Sequence, residues 1–261
     1  MAGLMQSLRA WSNSRTLKRR PIPDQLWELT VIRYPFISRR STEDLARLRE
    51  LATLFLANKE FSGAHGLEVT DEMAVAIAAQ ACLAILHFDI DHYDSFVGIV
   101  LHRSEVVVER EVMDEDGVVH VEEQTLSGEV MEGGPMMLTW DDVVDAGVSA
   151  DWAYNVVIHE FAHVLDLRDG VADGIPALPT REARNDWSAL IESEYQAFCE
   201  AVDQGWDTVL DPYGAEATDE FFAVAVEAFF VASAAMKREH PRLHALFVDY
   251  FRQDPSLSEN L

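Results

Sequence analysis

The chain is poor in cysteine and in positive charge, and it has no long apolar run. Two cysteines among 261 residues, Cys82 and Cys199, belong to no spaced motif. No disulfide framework is therefore expected, which fits a reducing, cytoplasmic setting. Cys82 falls in the apolar run Met73–Leu86 and reads as a buried thiol. Lys and Arg number 20 against 46 Asp and Glu, a formal net charge of −26. Phosphate backbones need basic side chains to replace their counterions, so this balance argues against direct binding of nucleic acid. It argues equally against an anionic membrane surface. No apolar stretch reaches the ~18 residues of a membrane helix without polar interruption, so no membrane span is expected. Met1–Arg20 carries Arg9, Arg15, Lys18, Arg19 and Arg20 but lacks an apolar signal core and a small-residue cleavage site. It reads as a mobile basic arm.

What is present is a globular composition, 49% hydrophobic, sufficient for a sizeable core. With no internal repeat, low-complexity tract or linker, the chain reads as an arm (1–24), one domain (25–255) and a tail (256–261). Ser41 has the chemistry of an N-cap and precedes a helical pattern ending near Lys59. Thr70 caps a second pattern, Asp71–Leu86, whose apolar residues run nearly all round, as in a core helix. Phe96–Leu101 and Glu105–Met113 have strand character. The turn signal Asp114–Gly117 and the alternating Val118–Gln124 complete a hairpin. Met136–Trp140 is a further strand, offering an edge to an extended peptide. Beyond it the pattern turns helical: a short helix from Asp141, one starting at Ser149 or Asp151, one capped by Thr180, one from Thr218 to Met236, and one opened by Pro241. The class expected is α+β, with N-terminal helices, a small mixed sheet with a hairpin, and a helical C-terminal half.

The informative stretch is His159-Glu160-Phe161-Ala162-His163, inside the unbroken apolar run Ala153–Leu167. On a helix, residues four apart share a face, so both histidines can hold one metal ion. Glu160 lies one step round, where it can act as general base toward a water at the metal. This is the core of a zinc peptidase. Catalytic zinc takes three protein ligands, and three acids compete for the last place. Asp169 stands at the position used when a glycine midway bends the chain, but that midway residue is Asp166. Glu182 matches the spacing of aminopeptidases that draw their third ligand from a following helix. Glu220 opens an otherwise apolar helical pattern, where a carboxylate needs a partner; Glu227 follows seven residues later on roughly the same face. Tyr213, seven residues before Glu220, carries a phenol able to donate to an oxyanion. Two other histidine pairs compete for notice. His240 and His244 flank Pro241 without an intervening base and read as surface residues at a helix start. His87 and His92 read as belonging to a loop.

Several stretches together resemble the Mlc titration factor A family of bacterial zinc peptidases. They are Gly134–Trp140, Asn155–Asp166, Gly174-Ile175-Pro176, Tyr213 with Glu220–Val224, Glu227 with Phe229-Phe230, and Tyr250–Pro255, spanning nearly the whole chain. The resemblance implies a zincin-like metallopeptidase fold, with one Zn²⁺ held by His159, His163 and Glu220. It leaves Glu182 as a helix-start acid or as one that orients a metal ligand from behind. A more distant similarity to the catalytic domain of anthrax lethal factor supports Glu220 as ligand and Tyr213 as oxyanion donor. Asp166, one turn past His163, would either orient a ligand or face solvent. The implied activity is aminopeptidase-like cleavage of a peptide or protein substrate, with Glu160 and Tyr213 catalytic. The implied partner is a Mlc-like transcriptional repressor, through which sugar phosphotransferase uptake would be regulated.

Overall fold

A computed structural model describes residues 2–104, 106–113, 119–126, 128–130, 134–146 and 153–257, with backbone alone over 2–8 and 106–130. In chain order the elements are α1 (Ala2–Arg19), α2 (Asp24–Arg33), α3 (Pro35–Ser38), α4 (Thr42–Asn58), β1 (Glu60–Gly63), α5 (Asp71–Leu83), β2 (Gly98–His102), β3 (Val106–Met113), β4 (Val119–Leu126), β5 (Gly128–Val130) and β6 (Met136–Thr139). Six helices follow: α6 (Trp140–Asp145), α7 (Val156–Asp166), α8 (Arg181–Asp203), α9 (Thr218–Val231), α10 (Ser233–Glu239) and α11 (Pro241–Phe251). The basic N-terminal stretch is thus helical, and α1 packs against α4. None of the described helices is long and apolar enough to cross a membrane.

The fold is α+β. The sheet has the order β1-β2-β6-β5, with the first three strands parallel and β5 antiparallel to β6. Parallel neighbours need a crossover connection, and α5 supplies it between β1 and β2. Alternation along β2 and β6 buries Ile99, Leu101, Met136 and Leu138 on one face. The register pairs Ile99 with Met136 on one side and Leu138 with Gly128 on the other. β6 is therefore an inner strand, contrary to the edge expected from its sequence, and among the described residues the edge strands are β1 and β5. Strand position in a sheet is a tertiary property that alternation along one strand does not encode. The hairpin forms as expected, β3 pairing with β4 from Val106↔Leu126 to Met113↔Val119. Its turn, 114–118, lies outside the described residues.

The helices take their places from their apolar faces. Ser41 and Thr70 cap α4 and α5 by accepting from Asp44 N and Met73 N. Residues Val75–Leu83 of α5 are all buried, so it is a core helix, as its all-round apolar pattern requires. Where the chain leaves α4, Lys59 is 8% exposed. Its ammonium donates to the backbone carbonyls of Tyr93 and Phe96 and lies 3.7 Å from the Phe96 ring centroid. Burial holds its pKa down at about 8. α9 is buried from Phe221 to Val231. The helix expected over 218–236 breaks at Ala232, whose backbone (φ −127°, ψ 44°) is non-helical, and α10 restarts at Ser233. His240 and His244 are not on the surface. His240 sits 3.1 Å from Glu194 Oε2, and His244 sits 3.0 Å from Ser233 Oγ. They are covered because Phe247 and Phe251 pull α11 onto Phe229 of α9.

Candidate metal centre

α7 carries the HExxH. The helix starts later than Ser149 or Asp151, because residues 153–155 are not helical and Asn155 is the cap. The Asn155 side chain accepts from Ile158 N at 2.9 Å, satisfying one of the orphan donors of the first turn. Phe161 faces inward, its ring 5.5 Å from Phe55, 4.7 Å from Tyr93 and 5.7 Å from Phe96. Truncating such a residue to alanine costs ~3–5 kcal/mol. That anchored face fixes the opposite one, where the His159 and His163 rings lie 4.9 Å apart.

α9 packs directly on α7 and brings two acids to the histidines. Glu220 Oε2 lies 3.0 Å from His159 Nε2 and 3.4 Å from His163 Nε2, and the two Nε2 atoms are 3.2 Å apart. Ligands ~2.0–2.1 Å from a tetrahedral zinc stand roughly 3.3 Å from one another, so this donor set fits such an ion in both chemistry and spacing. Among the described residues these three form the grouping of His, Cys, Asp or Glu whose ligand atoms all lie within 4.8 Å. Two turns on, Glu227 Oε1 lies 2.7 Å from His159 Nδ1. Its other oxygen accepts from the backbone N–H of Asn155. A carboxylate on Nδ1 keeps the proton there and leaves Nε2 to face the cluster.

The charges around this cluster act on one another. Burial raises the Glu160 carboxyl to about 7, against the pull of His159 and His163. Burial disfavours a charged His159, yet hydrogen bonds to Glu220 and Glu227 outweigh it and hold its pKa well above the ordinary value. At Glu220 the hydrogen bonds from both histidines likewise overcome burial and lower the carboxyl far below the usual range. Burial raises Glu227 despite its bonds to His159 and Asn155. Three acidic side chains around two imidazoles make this a place for a cation. Tyr213 stands at the rim, 44% exposed, its ring 6.1 Å from that of His159. Asp211 holds it there by accepting from Tyr213 N at 2.9 Å. Burial and the charges of Glu220, Glu216 and Glu160 push its phenol up to about 12, so it remains a donor at neutral pH.

The other candidates fall elsewhere. Asp169 is paired with Arg184 Nη1 at 2.5 Å. Glu182 is exposed in the first turn of α8 and stands outside the cluster. Asp166 does not face solvent. It is buried and accepts from Gly174 N at 2.9 Å and Ile175 N at 2.8 Å. It thereby ties the end of α7 to a loop that touches the start of α9. Gly174 has φ +76°, and a Cβ on it would stand 2.7 Å from Thr218 O. Neither the place of Glu227 behind His159 nor the role of Gln80, which accepts from Asn155 Nδ2 at 2.8 Å, follows from the sequence pattern. The available signal was a lone Gln in an apolar helix, since a buried amide demands a partner.

Comparisons with known proteins place nearly the whole chain in a metallopeptidase family. The family model described as glucose-regulated metallo-peptidase M90 matches residues 8–252. An uncharacterised protein of Synechocystis is 32% identical over 246 residues, covering 94% of this chain and 89% of that protein. A Mlc titration factor A from Pectobacterium atrosepticum is 34% identical, covering 88% of this chain and 86% of its own. Another from Salmonella arizonae is 31% identical, covering 89% and 92%. With a family match over nearly its whole length and relatives of this similarity, the chain belongs to the glucose-regulated metallo-peptidase family M90.

Proposed function

We propose that this protein is a zinc-dependent peptidase of zincin-like architecture that removes residues from short peptides as an aminopeptidase does. The observation that carries the reading is the convergence of His159 Nε2, His163 Nε2 and Glu220 Oε2 at zinc-ligand spacing. These three would hold a zinc ion, which would lower the pKa of a bound water towards ~7 and act as a Lewis acid on the scissile carbonyl. Glu160, buried beside them, takes the proton of the attacking water and delivers it to the leaving amine. The Tyr213 hydroxyl donates to the oxyanion as it develops. Glu227 holds His159 in the tautomer that presents Nε2. The free edge of β5, packed beside α7, offers backbone groups to an extended substrate.

Glu160→Gln tests the mechanism. It should keep zinc and lower turnover of amino-acid p-nitroanilides by ~10²–10⁴-fold. Hydrolysis by this variant at the wild-type rate would defeat the assignment. A second role is favoured by the relatives that carry the name Mlc titration factor A: binding a Mlc-like transcriptional repressor in the cytoplasm. A pull-down with the purified repressor, comparing wild type with Glu220→Ala, checks it. Retention by both supports a binding role independent of the metal, and retention by neither removes the second reading.

A further inference from the structure

We propose that Gln80 and Asn155 are positioning residues of the metal centre, the inner end of a buried hydrogen-bond chain that orients His159 through Glu227 and so sets the affinity for zinc. This inference rests on the reading of His159 as a zinc ligand. The chain starts in the core helix α5. Gln80 Nε2 lies 3.2 Å from the carbonyl of Ala76, which can only accept. That contact fixes the side-chain amide with Oε1 toward Asn155, whose Nδ2 donates to it at 2.8 Å. Asn155 then has Oδ1 left for Ile158 N, the cap of α7. Its backbone N–H goes to Glu227 Oε2, and Glu227 Oε1 takes the Nδ1–H of His159. Gln80 and Asn155 are 0% exposed and Glu227 is 2% exposed, so the chain is closed to solvent.

Residue type at 155 is restricted by this arrangement. Asp and Ser cap a helix about as well as Asn, and Thr somewhat less well, but none also offers an N–H₂ donor to Gln80. Asn155 therefore does more than start a helix. It joins the start of α7 to the carboxylate behind the first ligand and locks both against α5. Without Gln80 Oε1, the Asn155 amide loses the partner that orients it, Oδ1 caps α7 less firmly, and the backbone at residue 155, whose N–H Glu227 accepts from, loses an anchor. Glu227 would then be held less firmly at Oε2, and His159 would gain rotational freedom. Outer partners of metal ligands change affinity by ~10–100-fold when removed.

The experiment uses the full chain with Gln80→Met, Asn155→Ser and the double variant. Gln80→Met keeps side-chain length and removes the acceptor. Asn155→Ser keeps the cap and removes the donor. Zinc affinity is measured by chelator competition, with melting of the metal-free protein as the folding control. Solvent exchange of the His159 Nδ1–H proton is read by NMR. Each single variant should bind zinc about 10-fold more weakly and exchange this proton faster, and the double variant should be no worse than the weaker single one, since both cut one chain. Wild-type zinc affinity with unchanged exchange in Gln80→Met overturns the inference, as do losses that simply add in the double variant. A wild-type protein that binds no zinc would instead overturn the function proposed above, and the exchange of Nδ1–H would still decide whether the chain orients His159.

Discussion

Gly174→Ala separates a backbone effect from a positional one. Gly174 has φ +76°, and its missing Cβ faces Thr218 O at 2.7 Å. Gly170 has φ +91° with nothing within 4 Å of where its Cβ would stand. Both variants carry the left-handed cost of an L-residue, ~1–2 kcal/mol. Only Gly174→Ala adds a collision with backbone, whose relief costs a further ~1–3 kcal/mol by analogy with overpacked cores. Thermal unfolding of a chain this size moves about 2–4 °C per kcal/mol. Gly170→Ala should therefore fall a few degrees and Gly174→Ala roughly twice as far. The collision pushes on Thr218, two residues before Glu220, so Gly174→Ala should also weaken zinc, while Gly170→Ala should not. Calorimetry and chelator competition on the two proteins supply the readings. Equal melting losses together with equal zinc affinities would refute the claim that the approach of residue 174 sets the start of α9.

Three further outcomes are expected. Glu220→Ala should lose zinc and Glu182→Ala should keep it, by metal analysis; the reverse result would make Glu182 the third ligand. Tyr213→Phe, at a 44% exposed position, should leave stability within ~0.5 kcal/mol. It should lower kcat by ~10²–10³ if the hydroxyl serves the oxyanion, and a wild-type kcat removes Tyr213 from the mechanism. Lys59 has its pKa lowered by burial from 10.5 to about 8. Between those values the unfolded chain binds the extra proton, so this group's contribution to unfolding free energy rises with pH there. Urea denaturation of wild type and Lys59→Met across that window should show wild type gaining stability relative to the variant as pH rises. A constant difference would mean that the carbonyls of Tyr93 and Phe96, with the Phe96 ring, keep Lys59 charged.

Local chemistry in the sequence was legible where it was strong. Ser41, Thr70 and Thr180 cap the helices they were expected to cap, because an N-cap is a contact within four residues. The HExxH lies on a helix with both histidines on one face, as a 3.6-residue period requires. Cys82 is buried, as its apolar surroundings foretold. The sequence is ambiguous where several signals compete over a short distance. Ser149, Asp151 and Asn155 all have cap chemistry, and the choice fell to Asn155 because its amide and N–H have partners in Gln80 and Glu227. The break at Ala232 and the covered histidines His240 and His244 had no local mark, since packing of α11 on α9 produces both.

The sequence by itself determined the two histidines and Glu160 as a unit, since their geometry is internal to one helix. It left the third acid among Asp169, Glu182 and Glu220 until family resemblance favoured the last. The tertiary structure decided which acids meet the histidines. Arg184 takes Asp169, and the start of α8 leaves Glu182 exposed in its first turn, outside the cluster. The packing of α9 on α7 brings Glu220 and Glu227 to opposite nitrogens of His159. The physical reason is range. Spacing along one helix is fixed by backbone hydrogen bonds, whereas the meeting of two helices depends on which apolar faces bury each other, and no residue encodes that alone.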